Sequence, residues 1–242
     1  MTLSYLIGVL YRAPGIILAT IVYGSISLLC APFDNGGRKQ LKVARAWARM
    51  LLRIAGARVT AVGAENVDPN VAYVICPNHV SYMDTPVLLS YVPANFRFLA
   101  RKELFQIPFL GGHLKRSGNI SVPLEDPRGS LKVLSHAGHA MKQNGLSLLI
   151  FPEGGRSVSG ELEPFKDGAA YLAIKGEVPI LPVTIIGIKD VLPMHSHHVR
   201  PGRVTIRIGK PIETTGMRSH DRTALTQRLC DEISAMQRLG HA

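Results

Sequence analysis

Two short stretches hold the residue types from which chemistry can be built. In "PNHVSYMD" (77–84) a histidine and an aspartate, His79 and Asp84, lie five residues apart just after the apolar run "VAYVIC". A carboxylate that accepts one imidazole N–H fixes the tautomer and leaves the other ring nitrogen free to take a proton from a hydroxyl. On a continuous helix, five residues turn through about 500°, which leaves the two side chains well apart around the axis. They meet only if His79 lies in the turn before a helix or if the first turn is irregular. Pro77 ends the strand, and Asn78 or Ser81 can cap the next helix. Nothing nearby resembles a GxSxG nucleophile elbow, and no feature activates Ser81, so an attacking hydroxyl would have to belong to the substrate. By spacing alone, a structural histidine at a capped helix start fits as well as a base with its orienting carboxylate.

The second stretch is "FPEGGRSVSGELEPFKDGAAYLA" (151–173). Glu153, Gly154, Gly155, Arg156 and Ser157 follow an apolar run, and the glycines let the backbone approach a ligand closely. Arg156 offers a planar, permanently charged fork suited to phosphate. Glu153 is a partner for Arg156, for a second base or for a substrate hydroxyl. Lys166, in "FKDG", joins a basic floor or caps the next helix. A tight turn with a surface ion pair is the plainer account, but it leaves many polar groups at one strand end unexplained.

The elements that would hold these loops read as an α/β fold. Runs rich in β-branched residues predict strands over 58–62, 72–76, 97–100, 119–122, 147–151, 182–186 and 204–208. Helical patterns predict helices over 84–91, 129–143, 168–175 and 221–238. Near-continuous apolar strands alternating with helices imply a mostly parallel sheet of about seven strands with helices on both faces. Sites on such sheets gather in loops beyond the strand ends, where both stretches fall.

The chain start is different. Across Ala13–Phe33 no residue is charged, and at about 1.5 Å per residue the stretch just reaches across a hydrocarbon core of roughly 30 Å. The segment 38–56 predicts a helix with Arg38, Lys42, Arg45, Arg49 and Arg53 in one stripe. In residues 1–60, eight bases stand against one acid, Asp34, which supplies +7 of the chain's net +11. An apolar anchor beside a basic stripe fits an anionic membrane surface, with the body on the cytoplasmic face of the inner membrane. The reading preferred here is a pair of helices dipping into one leaflet, with a spanning helix left open. Residues 1–56 are therefore expected to form membrane-associating helices and 57–242 the α/β domain. No nucleic-acid reading motif is present. Cys30, Cys76 and Cys230 are scattered, as in a reducing compartment, with neither disulfide nor metal spacing.

"NHVSYMD" resembles the NHxxxxD motif of the glycerolipid acyltransferases, the lysophosphatidic acid acyltransferase group. "FPEGGRS" is similar to that family's FPEGTRS block, with Gly155 replacing threonine. "RKELFQIPFLGG" (101–112), "FKDGAA" (165–170) and "VPILPV" (178–183) resemble further blocks in the same order. The resemblance implies His79 as general base with Asp84 as its partner. It also implies that Glu153, Gly154, Gly155, Arg156, Ser157 and Lys102 bind the substrate. It further implies a lysophospholipid acceptor, lysophosphatidic acid first among them, and an acyl-CoA or acyl carrier protein donor, with no metal or cofactor. One block departs: in "GNISVPLEDPRG", Pro123 and Leu124 stand where the family has an acid and an arginine. Arg128, Lys115 or Arg116 would have to compensate, and another lysophospholipid, glycerol 3-phosphate or a lyso-aminolipid stay open as acceptors. A non-catalytic protein binding anionic membranes is the reading from another class, and a lipid or thioester hydrolase comes third.

Overall fold

A computed structural model of the chain describes residues 3–34, 36–107, 110–196 and 198–242. Met1, Thr2 and Asn35 of the N-terminal segment, and Pro108 and Phe109 of the 101–112 block, lie outside the described residues.

Seven strands form one sheet: β1 (Ala57–Val62), β2 (Val74–Pro77), β3 (Phe96–Arg101), β4 (Ile120–Val122), β5 (Ser147–Leu149), β6 (Ile180–Ile186) and β7 (Gly202–Ile208). Their order is β1-β7-β6-β2-β5-β3-β4, and only the β6–β7 pair is antiparallel. Successive strand residues point to opposite faces, which explains the unbroken apolar runs of the central strands. In β2, Ile75 faces one core layer while Val74 and Cys76 face the other. Helices α3 (Arg38–Ala55) and α4 (Asp84–Tyr91) cover the first face; α6 (Pro127–Asn144), α7 (Gly168–Gly176) and α9 (Arg222–Arg238) cover the second. The mostly parallel α/β sheet with helices on both faces is thus the observed architecture.

Local signals set the helix ends. Asp126 accepts the Gly129 N–H at 3.0 Å and Pro127 opens α6, while Gly145, at φ +61°, closes it. Two short helices absent from the sequence reading complete the body: α5 (Leu110–Arg116) and α8 (Ile188–Val191). β6 also begins earlier than expected, at Ile180 rather than Pro182. Proline is excluded from most central strands because it lacks an N–H. Here β7 ends at Ile208, and Pro182 uses its carbonyl to accept the Gly209 N–H at 2.9 Å, where the antiparallel ladder closes.

At the chain start, α1 (Leu3–Ile7) leads through one wide turn into α2 (Ala13–Cys30). Tyr5–Phe33 is long and apolar enough to cross a membrane, with a mean hydropathy of 2.0. Leu10, Tyr11, Leu29 and Phe33 are each about 70% exposed. One side of this helix packs on the body: Gly15 lies against Ile54, Trp47 Nε1 donates to Thr20 Oγ1 at 3.1 Å, and Ser27 Oγ meets His113 Nδ1 at 2.7 Å.

The basic helix needs a correction. α3 buries Ala48, Leu51, Leu52 and Ala55 in the core, at a spacing that keeps them on one face. Arg45 does not stand in a solvent-facing stripe: its Nη2 donates to the carbonyls of Val92 at 3.1 Å and Ala94 at 2.6 Å, just beyond the end of α4. Charge pattern alone did not show that carbonyls at a helix C-terminus need donors.

Candidate active site

β2, β5, β3 and β4 run parallel as neighbours, so the loops after them emerge at one edge of the sheet. That edge brings the 78–84 loop beside the 151–157 loop, because β2 pairs directly with β5.

The first loop is fixed from its start. Asn78 is buried, and its side-chain amide both donates to the Ile185 carbonyl at 3.1 Å and accepts the Ile185 N–H at 2.7 Å. In this way it continues the β2–β6 pairing past the end of the strand. α4 then begins only at Asp84, which leaves His79 in the turn ahead of it. This is the geometry in which residues five apart can meet. His79 Nδ1 lies 2.7 Å from Asp84 Oδ2, and the same oxygen accepts the N–H groups of Val80 at 2.8 Å and Ser81 at 2.9 Å. Asp84 is fully buried. A carboxylate only accepts, so Nδ1 carries the proton and Nε2 presents a lone pair. Burial pulls the His79 pKa below its ordinary value; the bond and charge of Asp84 oppose this, and the nearby Arg156 charge adds to it. The imidazole is therefore neutral near pH 7 and able to accept a proton.

The second loop clasps the main chain of His79 on both sides. Glu153 Oε1 accepts the His79 N–H at 2.7 Å, and the Ser157 N–H donates to the His79 carbonyl at 2.8 Å. Glu153 Oε2 accepts the Glu163 N–H at 3.0 Å. Glu153 is buried, and burial pushes its carboxyl up to about 7, against the two backbone bonds that favour its charge. Phe151, at the root of the loop, stacks on the imidazole with ring centres 3.7 Å apart and planes 16° apart.

Several expected site residues acquire distinct positions. Glu153 has both oxygens engaged by backbone, so it braces the main chain of His79 rather than pairing with Arg156. Ser157 is buried, and its hydroxyl serves the loop itself, meeting Ser159 Oγ and the Gly160 N–H at 3.1 Å each. Arg156 extends from the loop with its guanidinium carbon 4.4 Å above the centre of the Tyr82 ring. Gly154 adopts φ +74°, and a Cβ there would lie 2.8 Å from Lys166 Nζ, so the ammonium of Lys166 packs against this turn. Around Gly155 the space is open: a Cβ would meet nothing within 4 Å. Lys102 is exposed just past the end of β3, at the same sheet edge but not in contact with the pair. Ser81 Oγ donates to the Leu192 carbonyl at 2.7 Å and accepts the Met83 N–H at 3.1 Å, which makes it structural.

Of the three bases weighed as substitutes for the missing arginine, topology separates one. Lys115 and Arg116 precede β4 and therefore lie at the opposite edge of the sheet, whereas Arg128 comes after β4 at the edge of His79. Leu124 itself is exposed. The sequence reading missed the roles of Phe151 and Tyr82. Both lay within or beside the quoted motifs, and the only available signal was an aromatic side chain next to a titratable one.

Comparison with known proteins gives a consistent result. The acyltransferase family model matches residues 58–186, more than half of the chain. The 1-acyl-sn-glycerol-3-phosphate acyltransferase of Cocos nucifera is 30% identical over 198 residues, covering 81% of this chain and 64% of that enzyme. The chain thus spans a little under two thirds of that relative. The enzyme of the same name from Saccharomyces cerevisiae is 29% identical, over 91% of this chain and 74% of its own length. The crystal structure of the 1-acyl-sn-glycerophosphate (LPA) acyltransferase PlsC from Thermotoga maritima superposes with a TM-score of 0.78 at 24% identity, over 94% of each chain. That likeness establishes the shared fold.

Proposed function

This chain belongs to the acyltransferase family, and from that premise we propose that it moves a fatty acyl group from a thioester donor to the sn-2 hydroxyl of lysophosphatidic acid, forming phosphatidic acid. The observation that carries the reading is the arrangement of His79. Its Nδ1 is committed to Asp84, its Nε2 has no protein partner among the described residues, and the nearby Ser81 hydroxyl is tied to a carbonyl.

In this scheme the acceptor hydroxyl lies against His79 Nε2 and gives up its proton as the oxygen attacks the thioester carbonyl. Asp84 stabilises the imidazolium that forms. Collapse of the tetrahedral adduct breaks the C–S bond, and the imidazolium returns the proton to the departing thiolate. No acyl-enzyme is formed, and the scheme calls for no metal or cofactor. Arg156 and Lys166 supply positive charge for the phosphate, with Arg128 as a further base at the same edge. The donor is acyl-CoA or acyl carrier protein. The exposed apolar face of Tyr5–Phe33 rests in the cytoplasmic leaflet and sets the site at the bilayer surface, where the acceptor resides.

An acceptor panel tests this directly. With one acyl-CoA, lysophosphatidic acid should release thiol faster than glycerol 3-phosphate, lysophosphatidylcholine or a lyso-aminolipid. Preference for an acceptor without a phosphate monoester would remove Arg156 from its assigned part. Absence of turnover with every acceptor and both donor classes would favour a membrane-binding protein without catalysis.

A further inference from the structure

Away from His79, three arginines frame an open groove. Arg53 lies in the last turn of α3, Arg58 near the start of β1 and Arg203 near the start of β7. With Leu52 and Pro201 they line a groove of about 410 Å³. Arg58 and Arg203 are register partners on adjacent parallel strands, which run about 4.8 Å apart. Like charges placed directly side by side destabilise a sheet. Among the described residues, no carboxylate forms an ion pair with any of the three, and none of their side chains donates to a protein acceptor. All three are exposed. An anion seated between them would relieve the repulsion.

The surroundings specify what kind of anion. The starts of β1 and β7 lie at the same sheet edge as the end of β2, because β7 runs antiparallel to β6. Its nearer strand, β7, is two strands from β2, or about 10 Å, and neither His79 nor Asp84 lines the groove, so it is separate from that pair. The apolar N-terminal helix borders it: Gly15 packs on Ile54, the neighbour of Arg53, and Gly8 packs on His198 and Val199, close before Pro201. Arg12 Nη1 also donates to the Val199 carbonyl at 3.4 Å. Leu10 and Ile17, 71% and 61% exposed, lie on the opposite side of this helix, so it carries uncovered hydrocarbon beside the groove. Positive charge on one side and uncovered hydrocarbon on the other match an amphiphile with a phosphate head.

From this juxtaposition we infer that the groove of Arg53, Arg58 and Arg203 is a second binding site, for the phosphate of an anionic phospholipid in the surface on which the enzyme works. The inference rests on the proposed seating of the chain at a bilayer. A soluble phosphate ester such as the coenzyme A portion of a donor offers the same chemistry, so the test separates the two sources.

The full chain is sedimented with phosphatidylcholine vesicles with and without phosphatidylglycerol. Arg58→Gln with Arg203→Gln should weaken binding to the anionic vesicles by about 30-fold, from about 1 kcal/mol for each base at the surface. Lys132→Gln with Arg228→Gln, which takes the same charge from α6 and α9, should change it little. Arg53→Gln, on a separate element, should weaken binding on its own, which guards against a folding defect in the strand variant. Equal losses from both double variants would mean diffuse charge and overturn the site. So would coenzyme A binding that depends on Arg58 and Arg203 while vesicle binding does not. A wild-type chain that binds both kinds of vesicle equally would overturn the site and leave the bilayer seating intact, whereas one that sediments with neither would overturn both.

Discussion

Asp84→Asn isolates the charge of the carboxylate from its geometry. Asp84 Oδ2 accepts from His79 Nδ1, Val80 and Ser81 at 2.7, 2.8 and 2.9 Å. An asparagine carbonyl in the same place can accept all three, so the loop keeps its shape. The amide nitrogen then occupies the position of Oδ1, which is buried without a partner. One buried donor left unpaired costs about 1–3 kcal/mol, so the variant should melt earlier but remain folded. The catalytic loss is larger. Two unit charges about 4 Å apart interact by about 4 kcal/mol at an effective dielectric near 20, and at about 1.4 kcal/mol per decade this is a loss near 10³-fold in kcat. The direction of the pH profile provides a second, independent sign. Wild-type activity should fall as pH drops through the pKa of His79, which lies below the ordinary 6.5. The charge of Asp84 raises that pKa, so removing it should move the acid limb to still lower pH while the plateau drops. Thiol release from acyl-CoA with saturating lysophosphatidic acid, measured across pH with a reagent that reacts in acid, reads both effects. A loss below tenfold, or an acid limb displaced upward, would refute the assignment of Asp84 as the carboxylate that stabilises the imidazolium.

Arg156→Ala should raise KM for a phosphate-bearing acceptor by about 10- to 150-fold, the worth of one or two charge-assisted bonds, and leave kcat within a few-fold; an unchanged KM would place the phosphate elsewhere. Glu153 affects stability with the opposite pH sense to a paired carboxylate. Its carboxyl is raised from 4.5 to about 7, so the folded chain holds a proton that the unfolded chain has lost. Stability from this group should therefore decline by up to about 3 kcal/mol as pH climbs from about 4.5 to 7 and then level off. Glu153→Gln should remove that slope, and melting temperatures across the range check it.

How far the sequence could be read depended on whether a role belongs to a residue type or to its partner. The central strands were legible because burial on both faces leaves apolar runs, and even β6 was found despite Pro182. The meeting of His79 with Asp84 was legible as a condition: it needed the helix to begin late, and the Asn78 bridge to Ile185 is the contact that holds the turn ahead of it. For Glu153 the sequence left three partners open, Arg156, a second base or a substrate hydroxyl, and only the fold reveals that two backbone N–H groups engage its oxygens. Arg45 was read as one member of a basic stripe, because its carbonyl partners lie 47 and 49 residues along the chain. Phe151 and Tyr82 gained their meaning only when a ring and a guanidinium came to rest on them.

The grip of the 151–157 loop on the main chain of His79 makes the two loops inherit one another's errors. In the proposed scheme, a graft that imports a relative's 151–157 loop would displace His79 through Glu153 and Ser157 before any new specificity contact was made. Drift in substrate preference is then easiest at side chains that leave this grip alone. Gly155 is such a place: the space around it is open, so under the proposed scheme head-group recognition could change there, one residue at a time, without retuning the proton transfer.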